Sequence, residues 1–201
     1  MNKMKKIDLL ITGIGGQGNI LAGDIIAELA LDAGYDVKKT DTLGMAQRGG
    51  SVVSNLRIAQ HVYSPLIKEG EVDILLAFEK LEAARWGNYL REGGIAIINN
   101  QAVPPLSVSM GNEQYPSDKR ITDILKQRTD CIYFVEGIRC ARELGNIRIL
   151  NMFMLGCVSL FLPFRVRSWK ACICQHLPAS VQKVNLTAFD QGRKEMRIAC
   201  I

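Results

Sequence analysis

The 201-residue chain predicts an α/β fold with a largely parallel central sheet, and three observations carry that expectation. A short β-rich run over residues 7–12 leads into Gly13-Ile14-Gly15-Gly16-Gln17-Gly18. After it Leu21, Ile25, Ile26, Leu29 and Ala33 fall on one helical face. An apolar run over 73–78, a helical pattern over 79–90 and a further run over 95–99 repeat the strand–helix–strand rhythm. A hydrophobic content of 48% beside 22% charged residues supplies enough apolar material for one well-buried domain spanning residues 1–201.

The remaining elements follow in order. Gly34 closes the first helix, residues 36–40 form a second strand, and 41–50 form a loop that ends in a glycine pair. Residues 51–59 alternate as a third strand. Gly93-Gly94 stops the helix over 79–90. Pro104, Pro105 and Pro116 mark residues 101–117 as a long excursion. A helix over 121–128, a strand over 131–135 and three helical stretches up to Gln191 complete a Rossmann-like arrangement with a helical C-terminal region.

Charge and patterning exclude several classes. The net charge of +5 is too small for a nucleic-acid binder without a clustered basic face. Residues 165–201 hold seven basic residues against two acidic ones, so the surplus belongs to the C-terminal region. Lys3, Lys5 and Lys6 precede an apolar stretch, but Asp8 interrupts it, and the segment reads as the first strand, not an export signal. The most apolar segment, 149–164, contains Asn151, Gly156 and Ser159 and is cut at Pro163. That leaves it short of the roughly 20 residues a membrane helix needs, and it reads as a buried core helix. Six cysteines without an export signal are expected to be thiols in a cytoplasmic protein.

Gly13, Gly15 and Gly18 satisfy G-x-G-x-x-G between a strand and a helix. There glycine lets the backbone approach an anion and helix N-terminal amides carry partial positive charge. A dinucleotide is one reading, with Asp41 meeting a ribose hydroxyl; a tight turn without ligand is the other. The segment Gly44-Met45-Ala46-Gln47-Arg48-Gly49-Gly50 sets two strong donors beside flexible glycines. Arg48 either holds a carboxylate or phosphate or braces its own loop. Glu79, at the end of a buried strand, lies where parallel sheets bind ligands, and is equally a helix N-terminal acid. Cys172, Cys174 and His176 form C-x-C-x-H, but on a helix Cys174 points away from the other two and no further ligand is evident, so no metal is expected. His61 reads as a polar loop residue.

These segments, with Ser51-Val52-Val53-Ser54, 62–67 (VYSPLI), 78–83 (FEKLEA), Pro104-Pro105, 141–146 (ARELGN), Asn151 and Val184-Asn185-Leu186, resemble the gamma-type domain of 2-oxoacid:ferredoxin oxidoreductases. Within that family they are similar to the small (beta) subunits of the indolepyruvate type. The resemblance covers nearly the whole chain; it departs at Leu43, where many relatives carry histidine, and at Asp41, where glutamate is commoner. It implies an enzyme that decarboxylates an arylpyruvate with thiamine diphosphate and magnesium, passes electrons through iron–sulfur clusters to ferredoxin and captures the acyl group on coenzyme A. No C-x2-C-x2-C run exists here, and Asn99-Asn100 lacks the acidic-glycine partner of a thiamine site. The resemblance therefore implies an accessory subunit inactive alone, or a homodimer when isolated, whose large (alpha) partner carries those cofactors. The candidate binding residues are those of the two glycine segments and the strand end: Gly13, Gly15, Gly16, Gln17, Gly18, Gln47, Arg48, Gly49, Gly50 and Glu79. The competing reading is a free-standing nucleotide-binding protein or dinucleotide-dependent oxidoreductase that shares the fold.

Overall fold

The computed structural model describes residues 6–44 and 50–199. Among them six strands form one sheet: β1 (Ile7–Ile14), β2 (Asp36–Leu43), β3 (Ser51–Ala59), β4 (Val72–Ala77), β5 (Leu90–Asn99) and β6 (Ile132–Val135), in the order β2-β3-β1-β4-β5-β6. The pairings β1–β4, β4–β5 and β5–β6 are parallel. The sheet is nevertheless mixed, because β3 runs antiparallel to both β1 and β2. The 36–40 and 51–59 segments are thus the arms of a long hairpin. β2 extends through Leu43 because Thr42 and Leu43 still find partners in Val53 and Val52.

Helices cover both faces. One face carries α1 (Asn19–Asp32), α5 (Gly137–Glu143), α6 (Leu150–Val158), α7 (Val166–His176) and α8 (Ala179–Ala199) over a core that includes Leu9, Ile11, Leu56, Leu76, Phe153 and Trp169. The other carries α2 (Lys80–Trp86) and α4 (Asp118–Lys126) over Leu10, Val53, Leu75, Ala96 and Ile98. Layers on both sides explain why β3 does not alternate: residues 52–56 are all buried, since a central strand has no solvent face. The edge strand β2 is charged instead, with Lys39 Nζ 2.7 Å from both Asp24 and Asp41, which discourages further pairing along that edge.

Other boundaries also differ from the sequence expectation. The helix after β4 ends at Trp86, followed by a 3₁₀ turn (Gly87–Tyr89), and Gly93-Gly94 lie inside β5. There the register against β4 jumps from Val72↔Leu90 to Ile74↔Ile95, so the glycines permit a bulge where they were expected to stop a helix. The proline-rich excursion holds one short helix, α3 (Leu106–Ser109). Four helices, with a 3₁₀ turn at Ile147–Ile149, follow β6 where three helical stretches were expected, and the last continues to Ala199. Of the segment over 149–164, residues 149–159 are buried as expected, but the helix ends at Val158 and Pro163 is exposed. α6 and α8 cross in direct backbone contact: a Cβ on Gly156 would strike the Phe189 carbonyl oxygen, and one on Gly192 the Phe153 carbonyl oxygen. Asp8, fully buried, faces Arg57 across the β1–β3 pair and accepts both Nε (3.0 Å) and Nη2 (3.1 Å) of its guanidinium.

Candidate functional site

The glycine turn lies at the carboxyl end of β1. Gly16 has φ 101° and Gly18 φ 84°, left-handed backbone that only glycine takes without strain. A side chain at Gly18 would in addition press on Asn151. Gly13 lies within β1 against Phe78, and the Gly15 amide donates to the Gly50 carbonyl at 2.9 Å. The Gln17 side chain turns inward: its Oε1 accepts the Ile14 amide at 2.7 Å, and its Nε2 lies 3.3 Å from both the Phe78 carbonyl and Gln101 Oε1. Gln17 thus locks the turn to the ends of β4 and β5.

Because β2 runs parallel in direction to β1, with β3 between them, the loop after β2 emerges at the same edge as the glycine turn. Gly44 donates to the Ser51 carbonyl at 2.8 Å and closes the base of that loop. Gln47, Arg48 and Gly49 lie outside the described residues. Between the two loops is a pocket of about 340 Å³ lined by Gly15, Gly16, Gly18, Asn19, Leu43 and Gly50. No side chain of the N-cap, Gly18, satisfies the first-turn amides of α1. The Asn19 side chain, 2% exposed, has its Nδ2 3.5 Å from the Val52 carbonyl and its Oδ1 without a partner. The pocket wall therefore presents helix N-terminal donors with no basic side chain among its described residues, an arrangement suited to an anion.

A second cavity of about 620 Å³ shares Ile14 and Gly50 with the first and adds Ser51, Glu79, Glu82, Arg85, Pro104 and Pro105. Glu79 is the N-cap of α2: it accepts the Glu82 amide (2.9 Å), the Val103 amide (2.9 Å) and the Tyr115 hydroxyl (2.5 Å). Burial, together with this carboxylate, raises the Tyr115 phenol far above its ordinary value, so it remains a donor. Glu82, 2% exposed, accepts Ser51 Oγ and Arg85 Nη1, each at 2.5 Å. Glu79 therefore builds the wall of the cavity. Glu82, Arg85, Asn19 and Tyr115 are the residues that sequence reading passed over. The Glu79/Glu82 spacing of a capping box was the one available signal; nothing local announced Tyr115.

Asp41 does not take the ribose-binding role, because β3 separates its strand from β1 and its carboxylate is held by Ser54 Oγ (2.5 Å) and Lys39 Nζ (2.7 Å). Asn99 Nδ2 donates to the Phe78 carbonyl (3.0 Å) while its buried Oδ1 has no partner, and Asn100 Nδ2 donates to Glu136 (2.7 Å).

A family model described as pyruvate ferredoxin/flavodoxin oxidoreductase matches residues 8–195. The chain belongs to this family. It is 36% identical over 194 residues to indolepyruvate oxidoreductase subunit IorB of Pyrococcus horikoshii, covering 95% of this chain and 96% of that one. Its fold is that of the gamma subunit of a keto/oxoacid ferredoxin oxidoreductase from Geobacter sulfurreducens (TM-score 0.71, 21% identity, 98% and 99% covered). It is also that of part of a 2-oxoglutarate:ferredoxin oxidoreductase from Magnetococcus marinus (TM-score 0.74, 19% identity), whose structure has 2-oxoglutarate, coenzyme A and succinyl-CoA bound. The match covers 98% of this chain and 32% of the Magnetococcus chain, so the protein spans about a third of that larger one. In this ferredoxin/flavodoxin oxidoreductase family member no disulfide joins the described cysteines, and Cys140 and Cys172 are buried among the helices while Cys131 is exposed. No helix among the described residues is long and apolar enough to cross a membrane.

Proposed function

We propose that the chain is the gamma-type small subunit of an indolepyruvate-type 2-oxoacid:ferredoxin oxidoreductase. It works in the cytoplasm beside a large subunit that holds thiamine diphosphate, magnesium and iron–sulfur clusters and delivers electrons to ferredoxin. The observation that carries this reading is the near full-length relationship to an indolepyruvate oxidoreductase subunit. The chain's own residues support the division of labour. The Nδ2 groups of Asn99 and Asn100 donate within the fold and no cluster-type cysteine run exists, so no iron–sulfur cluster fits here and no redox step is assigned to this subunit.

Its part is the handling of coenzyme A at the carboxyl edge. The pyrophosphate rests on the uncapped amides of α1 beside Gly16 and Gly18, where helix-terminal partial charge replaces a basic side chain. The sequence of the loop that follows β2 offers two further donors for an anion, Gln47 and Arg48. Glu79 and Tyr115 hold the neighbouring wall in shape.

The test is co-expression with a candidate large subunit and an assay of arylpyruvate-dependent, coenzyme A-dependent ferredoxin reduction. Activity should appear in the assembled pair and be absent from either chain alone. A brown chromophore with stoichiometric iron and sulfide in the isolated small chain overturns the assignment, as does nicotinamide-dependent turnover without a partner.

A further inference from the structure

Away from the glycine turn, on the helical layer, three metal-ligating side chains converge from two helices. Cys172 and His176 are four residues apart on α7 and share a face of it. The C-terminal part of α1 brings Glu28 to the same place. The Sγ, imidazole nitrogen and carboxylate oxygen all lie within 4.8 Å of one another, and His176 Nε2 is 2.5 Å from Glu28 Oε2.

We propose that Glu28, Cys172 and His176 form a binding site for one zinc-like divalent cation that clamps α7 to α1. The donor set is one thiolate, one imidazole and one carboxylate. That mixture suits zinc, with water in the fourth position, and is ill matched to calcium or magnesium, which require oxygen ligands. On a tetrahedral zinc such ligands stand about 3.5 Å apart, so the His176–Glu28 bond opens around the ion while the sulfur closes on it, both by side-chain rotation.

Two further features favour a cation. His176 is in the last turn of α7, and Glu28 is four residues before the end of α1, whose last turn has no basic residue. The negative ends of two helices therefore meet at the cluster. A second carboxylate, Asp32, lines the same cavity as Cys172. That cavity, of about 450 Å³, is also lined by Arg165, Ser168 and Gln175, so one basic side chain stands beside the carboxylate.

Access is one-sided: the His176 and Glu28 side chains are 23% and 42% exposed, while Cys172 is 2% exposed. The ion can enter from solvent and the sulfur stays sheltered from oxidants. Without metal, the Cys172 thiol faces the Ile25 carbonyl, with Sγ 3.6 Å from its oxygen. Loading passes that thiol proton to solvent as the metal–sulfur bond forms, with no change of oxidation state. Cys174, one position off this face, takes no part.

The experiment uses the full chain, stripped with a chelator and dialysed against zinc or cobalt. Zinc should be retained at one equivalent with a rise in Tm, and the cobalt form should show thiolate-to-cobalt charge-transfer absorption. C172S and H176A should lose both signals, E28Q should weaken retention at least tenfold, and C131S, C174S and H61A should leave them unchanged. Retention well below one equivalent, or a cobalt spectrum without the thiolate band, overturns the site even if no variant folds. So does a C172S chain that still holds zinc, or an E28Q variant whose only defect is a Tm loss equal with and without metal. That last outcome reduces the cluster to an ion pair.

Discussion

The Gly15 amide donates to the Gly50 carbonyl at 2.9 Å, and this bond joins the first strand–helix turn to the base of the β2–β3 loop. The two glycine-rich segments are separate in sequence, but they become two lips of one pocket at the carboxyl edge of β1. A ligand held between them touches both, which makes substitutions on either lip informative.

Arg48→Lys keeps the charge and loses the planar two-pronged donor. In the assembled enzyme it should raise the coenzyme A KM about tenfold, which corresponds to about 1.4 kcal/mol, with Tm near wild type. Gly16→Val, at φ 101° with open space around it, should cost about 1–3 kcal/mol of stability from backbone strain alone and raise the same KM. Unchanged kinetics for coenzyme A in both variants would falsify the shared anion site.

Tyr115→Phe removes a donor from the buried Glu79 carboxylate and an acceptor from the Leu81 amide, 3.1 Å away. The loss should be about 1.5–3 kcal/mol by denaturant melts. The phenol is raised in the folded state, so it keeps a proton that the unfolded chain releases at about pH 10. Its contribution is whole below that pH and fades as pH rises further. Wild type should therefore lose Tm more steeply than Tyr115→Phe above pH 10; parallel curves would remove the phenol from the account.

Gly192→Ala places a methyl group on the Phe153 carbonyl where α8 crosses α6. Overpacking of this kind costs about 1–3 kcal/mol or more, so Tm should fall by several degrees in the isolated chain. A melt indistinguishable from wild type would mean that the helices can separate freely.

The basic C-terminal helix divides into two parts. Lys183, Lys194 and Arg197 are exposed, while the Arg193 guanidinium donates to Ser159 Oγ at 2.5 Å and lies 5.9 Å over the Phe189 ring. Neutralising the three exposed residues should slow association with the large subunit or ferredoxin at low salt, a defect that shrinks as salt rises. Arg193→Ala should instead lower Tm, because burial and Phe189 make it part of the α6–α8 contact. An association rate insensitive to the triple change leaves the helix as an ordinary solvated face.

The sequence by itself determined the strand–helix order, the glycine turn after β1, the edge of the sheet on which it opens and the family. Each is written in local periodicity, in glycine positions or in the spacing of short motifs. Tertiary structure decided the direction of β3, since the loop over 44–50 is too long for the two-residue signature that marks a hairpin. It turned Gln17 inward and made Glu79 a cap, because the partners of both, Gln101, Val103 and Tyr115, come from the other side of β5. It brought Glu28 to Cys172 and His176, a meeting that depends on how two helices pack and not on the composition of either. Local pattern fixes which elements form; which side chains meet across them follows from packing, which no single segment encodes.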